Sequence, residues 1–577
     1  MRLKRERYTK AQLTGELRIP AGVIERLFPA PVTLPPRRGG HKPQVFWTAR
    51  QVRDALRDPR VIRAAEKAER SVRDDESAQI QNYLRSFDIT RMRDEARELK
   101  RRFVIHAGPT NSGKTYQALQ ALKACSRGVY LGPLRLLALE VFDALNKDGV
   151  MCSLLTGEES VEVWGARHTA STIEMADYRA EYDIAVIDEA QMITDPNRGD
   201  RWMKALYGIR AAEIHICLAP EAKSLITGIL DGFDAAYTVV EHHRLAPLCW
   251  AGPFDDLRNA KKGDAFIVFS RKAVLGLSAE LHQMGIGASV IYGALPPVSR
   301  REEVRRFAEG ETDVVVATDA IGMGVSLPIG RIIFCETTKF DGRERRPLRT
   351  GEIKQVAGRA GRFGMYDRGE VMAMTDHQRV RAALDCPEKA YARMTIPFPD
   401  GALDAPWPLD RLLTEWDLMP REPGFTRVDM SDALKLYRAL GKSARQITRK
   451  LLFDLISCPL DTDSEQMVAY WLACVRAILR RQDLPEPFSG FGSLEQCEDR
   501  YRELDIRHQL LRRIGVEEDR MDEKEELCRL INRFLQEDRT LYLRRCSRCG
   551  AKLDATYPYG VCEKCFRREH AYRRSGR

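Results

Sequence analysis

The stretch HAGPTNSGKTYQAL, residues 106–119, follows the apolar run Phe103-Val104-Ile105 and sets Gly108, Gly113, Lys114 and Thr115 in the order G-x-x-x-x-G-K-T. A buried strand that runs through such a turn into a helix makes a phosphate grip. Gly108 and Gly113 let the backbone bend until its N–H groups converge on phosphate oxygens, at a helix N-terminus whose dipole favours negative charge. The pattern assigns Gly108, Pro109, Thr110, Asn111, Ser112, Gly113, Lys114 and Thr115 to nucleotide binding, with Lys114 on the β and γ phosphates and the Thr115 hydroxyl on Mg²⁺. ATP and Mg²⁺ are therefore the expected cofactors. A plain Gly-rich turn is the competing reading, and it leaves the flanking strand and helix unexplained.

A phosphate grip needs an acidic partner, and IAVIDEAQ, residues 184–191, supplies one. Four apolar residues form a buried strand that ends at Asp188, placed to hold Mg²⁺ beside Thr115, while Glu189 is placed to polarise the water that attacks the γ-phosphate. The third element is QVAGRAGRFG, residues 355–364, in which Gln355, Arg359 and Arg362 recur at spacings of four and three. That spacing predicts two guanidiniums on one helix face, with glycines beside them for close approach to a γ-phosphate bound by another domain. Catalysis is expected only when the two halves meet.

Around these motifs the chain alternates strand-like runs such as RRFVIHA, GVYLGP, YDIAVIDEA, EIHICLA, DAFIVFS, ASVIYGA, TDVVVATDA and RIIFCE with stretches of helical spacing. Parallel α/β sheets follow from that alternation. The full reading is α/β: two tandem parallel-sheet domains, the first carrying the P-loop, with a helical C-terminal region, a small N-terminal helical or winged-helix module and a C-terminal zinc ribbon. The boundaries expected are an N-terminal module at 1–60, a helical connector at 61–100, a first α/β domain at 101–245, a second at 246–395, a helical domain at 396–540 and the ribbon at 541–577.

Charge and cysteine use narrow the partners. The chain of 577 residues has 93 Lys+Arg against 83 Asp+Glu, but residues 1–60 hold fourteen basic and five acidic side chains and residues 541–577 hold ten and three. Basic ends around an acidic middle suit a polyanion, although solvated termini give the same count. Ten of the fourteen cysteines are scattered without a framework, as in a reducing compartment. The other four, Cys546, Cys549, Cys562 and Cys565, form two C-x-x-C knuckles twelve residues apart, the spacing of a structural Zn²⁺ site. Redox dithiols are the alternative. Arg544, Arg545, Arg548, Arg567 and Arg568, with Tyr557, Tyr559 and Phe566, make the ribbon a candidate surface for single-stranded nucleic acid, and protein docking is an equal alternative.

At the N-terminus YTKAQLTGELRIPAGVIERLFP reads as two short helices, PAPVTLPPRRGGHKPQVFW as a hairpin and TARQVRDAL as a third helix capped by Thr48. This resembles the winged helix-turn-helix of MerR or excisionase type, with Arg37, Arg38, His41 and Lys42 on the wing; such a module would make DNA a partner, and a small helical cap is the alternative. No run is long enough to span a bilayer, so no membrane is expected. Glu6, Glu16 and Glu25 argue against a transit peptide.

The strings GPTNSGKT, GPLRLLALEVF, TGEE, STIEM, DEAQM, HHRLAPL, VIYGALPP, VATDAIGMGVSL and QVAGRAGRFG, in that order, resemble the superfamily-two DExH-type RNA helicases of the mitochondrial degradosome, the Suv-three-like family. The likeness covers about residues 95–400. It implies two RecA-like domains that hydrolyse ATP at their interface and translocate on RNA in the 3′ to 5′ direction, in RNA degradation or processing, feeding an exoribonuclease partner. By position it implies backbone contacts to nucleic acid from Pro133, Arg135, Thr172 and Thr318. Gln191 and Gly324 would couple the two clefts, Gly324 counting among the nucleotide-binding residues. HICLAPEAKS departs from the family's Gly-Glu-Pro turn, which puts the coupling of hydrolysis to strand movement in question. Lacking a recognisable presequence, the chain reads as a bacterial, cytoplasmic relative. A DNA helicase or translocase, and an ATP-gated RNA clamp or scaffold without strand separation, remain alternative readings.

Overall fold

The computed structural model describes residues 5–16, 19–35, 43–87, 99–232, 234–322, 327–342, 344–362, 364–387, 389–516, 518, 520–537, 542–553, 557 and 559–567. The chain divides into two compact units, residues 1–88 with 399–419, and residues 89–398 with 420–577.

In the first unit, strands β1 (Arg7–Tyr8) and β2 (Val32–Leu34) both pair antiparallel with β3 (Gln44–Thr48). Thr48 ends β3 and caps the helix Ala49–Ala55: its hydroxyl accepts the Gln51 N–H at 3.3 Å while the Gln51 side-chain oxygen accepts the Thr48 N–H at 2.9 Å. Helices Lys10–Gly15 and Ala21–Leu27 close over Tyr8, Leu13, Ile24, Trp47 and Val52. The expected helix, helix, hairpin, helix order is present; Arg37, Arg38, His41 and Lys42 lie outside the described residues. A 27-residue helix, Pro59–Arg85, continues from the same core through Val61. Residues 399–419, read from sequence as the start of the C-terminal helical region, group with this unit. Their helix Leu409–Leu418 brings the buried Glu415 carboxylate to Ser77 Oγ (2.7 Å) and Gln81 Nε2 (3.0 Å), which satisfy it.

The second unit holds both RecA-like sheets. Strands β4 (Arg102–Ala107), β5 (Gly128–Gly132), β6 (Cys152–Leu155), β7 (Ser160–Val161), β8 (His168–Thr172), β9 (Glu181–Ile187), β10 (Arg210–Leu218) and β11 (Ala236–Glu241) form one sheet in the order β11-β4-β10-β9-β5-β8-β6-β7. All its neighbours run parallel except the short β6–β7 pair. The second sheet has β12 (Leu248–Pro253), β13 (Asp264–Ile267), β14 (Ala288–Ile291), β15 (Val314–Ala317), β16 (Arg331–Phe334) and, after a hairpin of β17 (Thr338–Phe340) and β18 (Arg345–Pro347), β19 (Gly369–Ala373). It is parallel throughout, ordered β12-β19-β16-β13-β15-β14. Runs such as Val314-Val315-Val316-Ala317 are buried on both faces because helices cover both, which is why they read as continuous apolar stretches. A parallel pair, β20 (Met394–Ile396) and β21 (Phe425–Arg427), follows.

Helices Ser431–Leu440, Arg449–Ile456, Glu465–Arg480, Leu494–Arg513 and Met521–Glu537 make the C-terminal region. The last two share a core with the second sheet. Leu494, Cys497, Tyr501, Leu504, Leu527, Ile531 and Leu535 pack into one cluster with Phe266, Val290, Val314 and Val316 of the second sheet. Inside that seam Tyr292 donates its hydroxyl to Glu498 at 2.5 Å, and Arg271 stands 3.0 Å from the same carboxylate.

Candidate active site, RNA path and cysteine cluster

Strand β4 lies between β10 and β11 and delivers the chain into the phosphate loop. A Cβ on Gly108 would stand 2.6 Å from the Cβ of His242 and 2.7 Å from the Ser112 hydroxyl, so only glycine fits there. Gly113, at φ +81°, turns the chain into the helix Lys114–Ala124. Ser112 Oγ is buried and has no hydrogen-bond partner among the described residues, and the buried Lys114 ammonium donates to the loop's own Pro109 carbonyl at 3.3 Å. An orphaned hydroxyl and a cation resting on its own loop, at a helix N-terminus, fit a polyphosphate.

Asp188 follows β9, which lies across β10 from β4 and its loop. Its Oδ1 accepts from the Thr115 hydroxyl at 3.2 Å, its Oδ2 from the Tyr130 hydroxyl at 2.9 Å, and its main-chain oxygen from Trp202 Nε1 at 2.9 Å. Burial first, then the charge of Glu189, raises the Asp188 pKa to about 6, with Lys114 opposing. A divalent cation between Thr115 and Asp188 would relieve that desolvation, so the donor set fits Mg²⁺. Glu189 has a left-handed backbone, φ +50°, a conformation costing roughly 1 kcal/mol or more for a non-glycine residue and concentrated at functional positions. Gln191 donates its amide to Glu189 and accepts the Ala219 N–H at 3.0 Å. Ala219 opens the turn that departs from the Gly-Glu-Pro pattern. Since the link uses its main chain, the departure leaves this contact in place.

The second sheet brings a turn where a helix face was expected. The helix Thr350–Ala357 stops before Arg359: Gly358 closes it by donating to the Lys354 carbonyl at 2.7 Å, and Gly361 adopts φ +74°. A Cβ on Gly361 would stand 2.5 Å from the Gly369 nitrogen, so the glycines serve close backbone approach and a helix stop rather than interrupting a helix. Arg359 Nε and Nη2 donate to the Gly322 carbonyl at 3.2 and 2.6 Å, and Gln355 packs beside Gly322. Burial lowers the Arg359 pKa while Glu189, Glu140 and Asp188 hold it up, which sets this guanidinium in the field of the first sheet's acids. Arg362 is half-buried in the same turn. Gly324 lies outside the described residues. The two halves touch directly, Asn111 Nδ2 donating to the Gly358 carbonyl at 3.1 Å.

Residues 90–242 match the DEXQ-box helicase domain of Suv3, and residues 252–364 match the helicase conserved C-terminal domain. Residues 90–364 are thus similar to a helicase core of the Suv3 type. Gln191 at the fourth position of the box agrees with the DEXQ description. The mitochondrial ATP-dependent RNA helicase SUV3 of Oryza sativa subsp. japonica is 45% identical over 311 residues, 53% of this chain and 54% of that protein. DExH-box ATP-dependent RNA helicase DExH16 of Arabidopsis thaliana is 46% identical over 284 residues, 48% and 50%. The SUV3 helicase of Saccharomyces cerevisiae is 38% identical over 327 residues, 54% and 44%. The chain thus spans about half the length of these relatives. All three are named as mitochondrial, as is a SUPV3L1 helicase of Gallus gallus, and this overturns the expectation of a bacterial cytoplasmic protein. The physical error is visible: Glu6, Glu16 and Glu25 belong to the folded N-terminal unit and carry no information about a leader.

The residues expected on nucleic acid sit at the carboxyl ends of strands, those of the first sheet on the same edge as the phosphate loop. Pro133 follows β5 and Thr172 ends the neighbouring β8, where Gly132 pairs with Thr172, and Thr318 follows β15 of the second sheet. The Pro133 carbonyl accepts from Arg198 at 2.6 Å and the Thr318 hydroxyl accepts the Ala320 N–H at 3.2 Å. Arg135 is already engaged, paired with Glu158 of the TGEE string and 3.7 Å from Asp505 of the C-terminal helices. No helix of the described residues is long and apolar enough to cross a membrane.

In the ribbon one sulfur from each of Cys546, Cys549, Cys562 and Cys565 lies within 4.8 Å of the others, and Cys549 and Cys562 are 3.6 Å apart. A tetrahedral zinc with arms of about 2.3 Å has sulfur–sulfur edges of about 3.8 Å, so the cluster fits that ion. The Cys562 N–H points at Cys546 Sγ, 3.2 Å away, and Gly550 turns the first knuckle at φ +70°. Arg544 donates to the Tyr557 and Tyr559 carbonyls and Arg545 to that of Gly550, so two arginines expected on nucleic acid also knit the ribbon. Arg568 lies outside the described residues.

Sequence reading missed two features beside the loop. His106 bridges His242 (3.1 Å) and His215 (2.9 Å), which in turn meets Glu213 at 2.9 Å; burial lowers the His106 pKa to about 4. The other is Arg244, visible in the string HHRLAPL but given no role there.

Proposed function

We propose that the chain is an ATP-driven RNA helicase that hydrolyses ATP between its two RecA-like domains and moves 3′ to 5′ along RNA, in degradation or processing beside an exoribonuclease. The observation that carries this is the facing of the Thr115–Asp188 pair on one sheet by Arg359 on the other, within a Suv3-type core. Bound ATP and Mg²⁺ supply the polarised phosphoryl group. Residues 108–115 hold the phosphates, Thr115 and Asp188 hold the metal, Glu189 takes the proton of the attacking water, and Gln191 orients Glu189. Gln355, Arg359 and Arg362 complete the charge from the second sheet, with Gly324 at the cleft. Pro133, Arg135, Thr172 and Thr318 line the RNA backbone, Arg135 after exchanging a carboxylate for phosphate. Cys546, Cys549, Cys562 and Cys565 hold a structural zinc, which supplies folding energy to a segment too short for its own core. The domain division read from sequence belongs to this proposal, with residues 399–419 moved to the N-terminal unit.

The observed helix, helix, hairpin, helix order of that unit favours a second reading, a DNA translocase. ATPase rates with RNA, single-stranded DNA, duplex DNA or nothing, followed by strand displacement on 3′-tailed and 5′-tailed duplexes, separate the readings. RNA stimulation with displacement from a 3′ tail is expected. Stimulation by DNA alone would move the reading to the translocase, and RNA-stimulated hydrolysis without displacement to an ATP-gated clamp. The same reduced preparation should contain one zinc per chain by elemental analysis, and finding none would remove the metal.

A further inference from the structure

The segment that joins the two sheets runs along the phosphate loop as it crosses. His242 N–H donates to the Ala107 carbonyl at 2.7 Å and Leu245 N–H to that of Asn111 at 3.2 Å. Between them Arg244 sends its guanidinium to both sides of the cleft. Nε donates to the Ala246 carbonyl at 2.7 Å, Nη1 to those of Thr110 (3.1 Å) and Gly358 (2.9 Å), and Nη2 to that of Ala360. Thr110 belongs to the phosphate loop, and Gly358 and Ala360 flank Arg359.

We propose that Arg244 is a positioning residue of ATP hydrolysis, a clasp that fastens the phosphate loop to the turn carrying Arg359 and so fixes where that guanidinium meets the γ-phosphate. The inference rests on the reading that ATP is hydrolysed at this cleft. Arg244 is fitted to the task because a planar guanidinium offers five donors in a fixed fork, enough to hold three chain segments at once, whereas an ammonium is a compact point charge. Its hydrogen-bond acceptors among the described residues are all main-chain carbonyls, so it holds backbone position rather than another side chain's charge. Burial lowers its pKa to about 10, and it remains charged at neutral pH. The loops it joins are already close: a Cβ on Gly358 would stand 3.1 Å from the Thr110 Cβ. A shift of about 1 Å in such a turn is enough to lower turnover by roughly 10².

The test uses the full chain and four variants: R244A, R244K, R359A and R244A/R359A, with K114A as the control for the underlying reading. Turnover, KM and fluorescent-nucleotide affinity are measured for each, with the unfolding midpoint alongside. R244A should lose about a hundredfold in kcat, R244K less, and nucleotide affinity should change no more than about threefold. Because Arg244 acts through Arg359, R244A/R359A should be no slower than R359A alone. Multiplying losses in the double variant, or an unchanged kcat in R244A, would overturn the clasp. If R244A does not fold, the cycle is run with R244K. Normal hydrolysis by K114A would instead overturn the reading of the cleft itself.

Discussion

At its carboxyl edge the eight-stranded sheet presents charged side chains held in place by its own groups: Lys114 on the Pro109 carbonyl, and Asp188 between the Thr115 and Tyr130 hydroxyls. The six-stranded sheet meets that edge with a turn whose contacts are mostly main chain, Gly358 and Ala360 receiving Asn111 and Arg244, with Arg359 in the field of the acids. One half therefore carries a preorganised site, and the other carries a condition on it. Binding should depend on the first sheet alone, and turnover on both.

The comparison can be broken most sharply at Lys114 and Glu189. Lys114→Ala should abolish nucleotide binding, whereas Glu189→Gln should bind ATP normally and fail to turn over, because only the glutamate acts on the water. Nucleotide titration with single-turnover hydrolysis reads both, and unimpaired hydrolysis by the Gln variant would place the base elsewhere. Next come the arginines of the turn. Arg359→Ala and Arg362→Ala should each lower kcat by about 10³ while ATP affinity falls much less; equal losses in affinity and kcat would erase the division between the halves.

The smallest effect concerns pH. Asp188 titrates at about 6 because burial penalises its charge, and metal binding needs the carboxylate. Activity at limiting Mg²⁺ should therefore be lost as pH falls through 6, to roughly a quarter at pH 5.5 of its value at pH 7.5. Saturating Mg²⁺ should move the midpoint downward, and Arg359→Ala should move it upward, because the guanidinium and the Asp188 carboxylate favour each other's charge. A midpoint indifferent to Mg²⁺ would assign the titration to another group.

Much of this site is legible in sequence because its signals are local. The phosphate loop, the Asp188–Glu189 pair and the two cysteine knuckles each occupy a few consecutive residues, and spacing alone brings their atoms together. The arginine turn was read at helical spacing because four and three residues fit a helix; the glycines at 358 and 361 could equally end one, and they do. Strand β8, His168–Thr172, is hidden by its small and polar residues, which are buried between parallel neighbours without forming an apolar run. Arg244 could not be assigned because the acceptors it joins across the cleft, Thr110, Gly358 and Ala360, lie more than a hundred residues away on either side. The apolar faces of the last two helices announced burial but not against what, and their partner is the second sheet.

That seam also has a consequence in time. During synthesis the last strand of the second sheet, β19, leaves the ribosome well before Leu494–Arg513 and Met521–Glu537 exist. At ribosomal speeds of about 5–20 residues per second, roughly ten to thirty seconds separate the sheet's completion from the arrival of Leu527, Ile531 and Leu535. For that interval the face around Phe266 and Val290 waits without its cover, a window in which a nascent chain is most exposed to chaperones and to its neighbours on the same message.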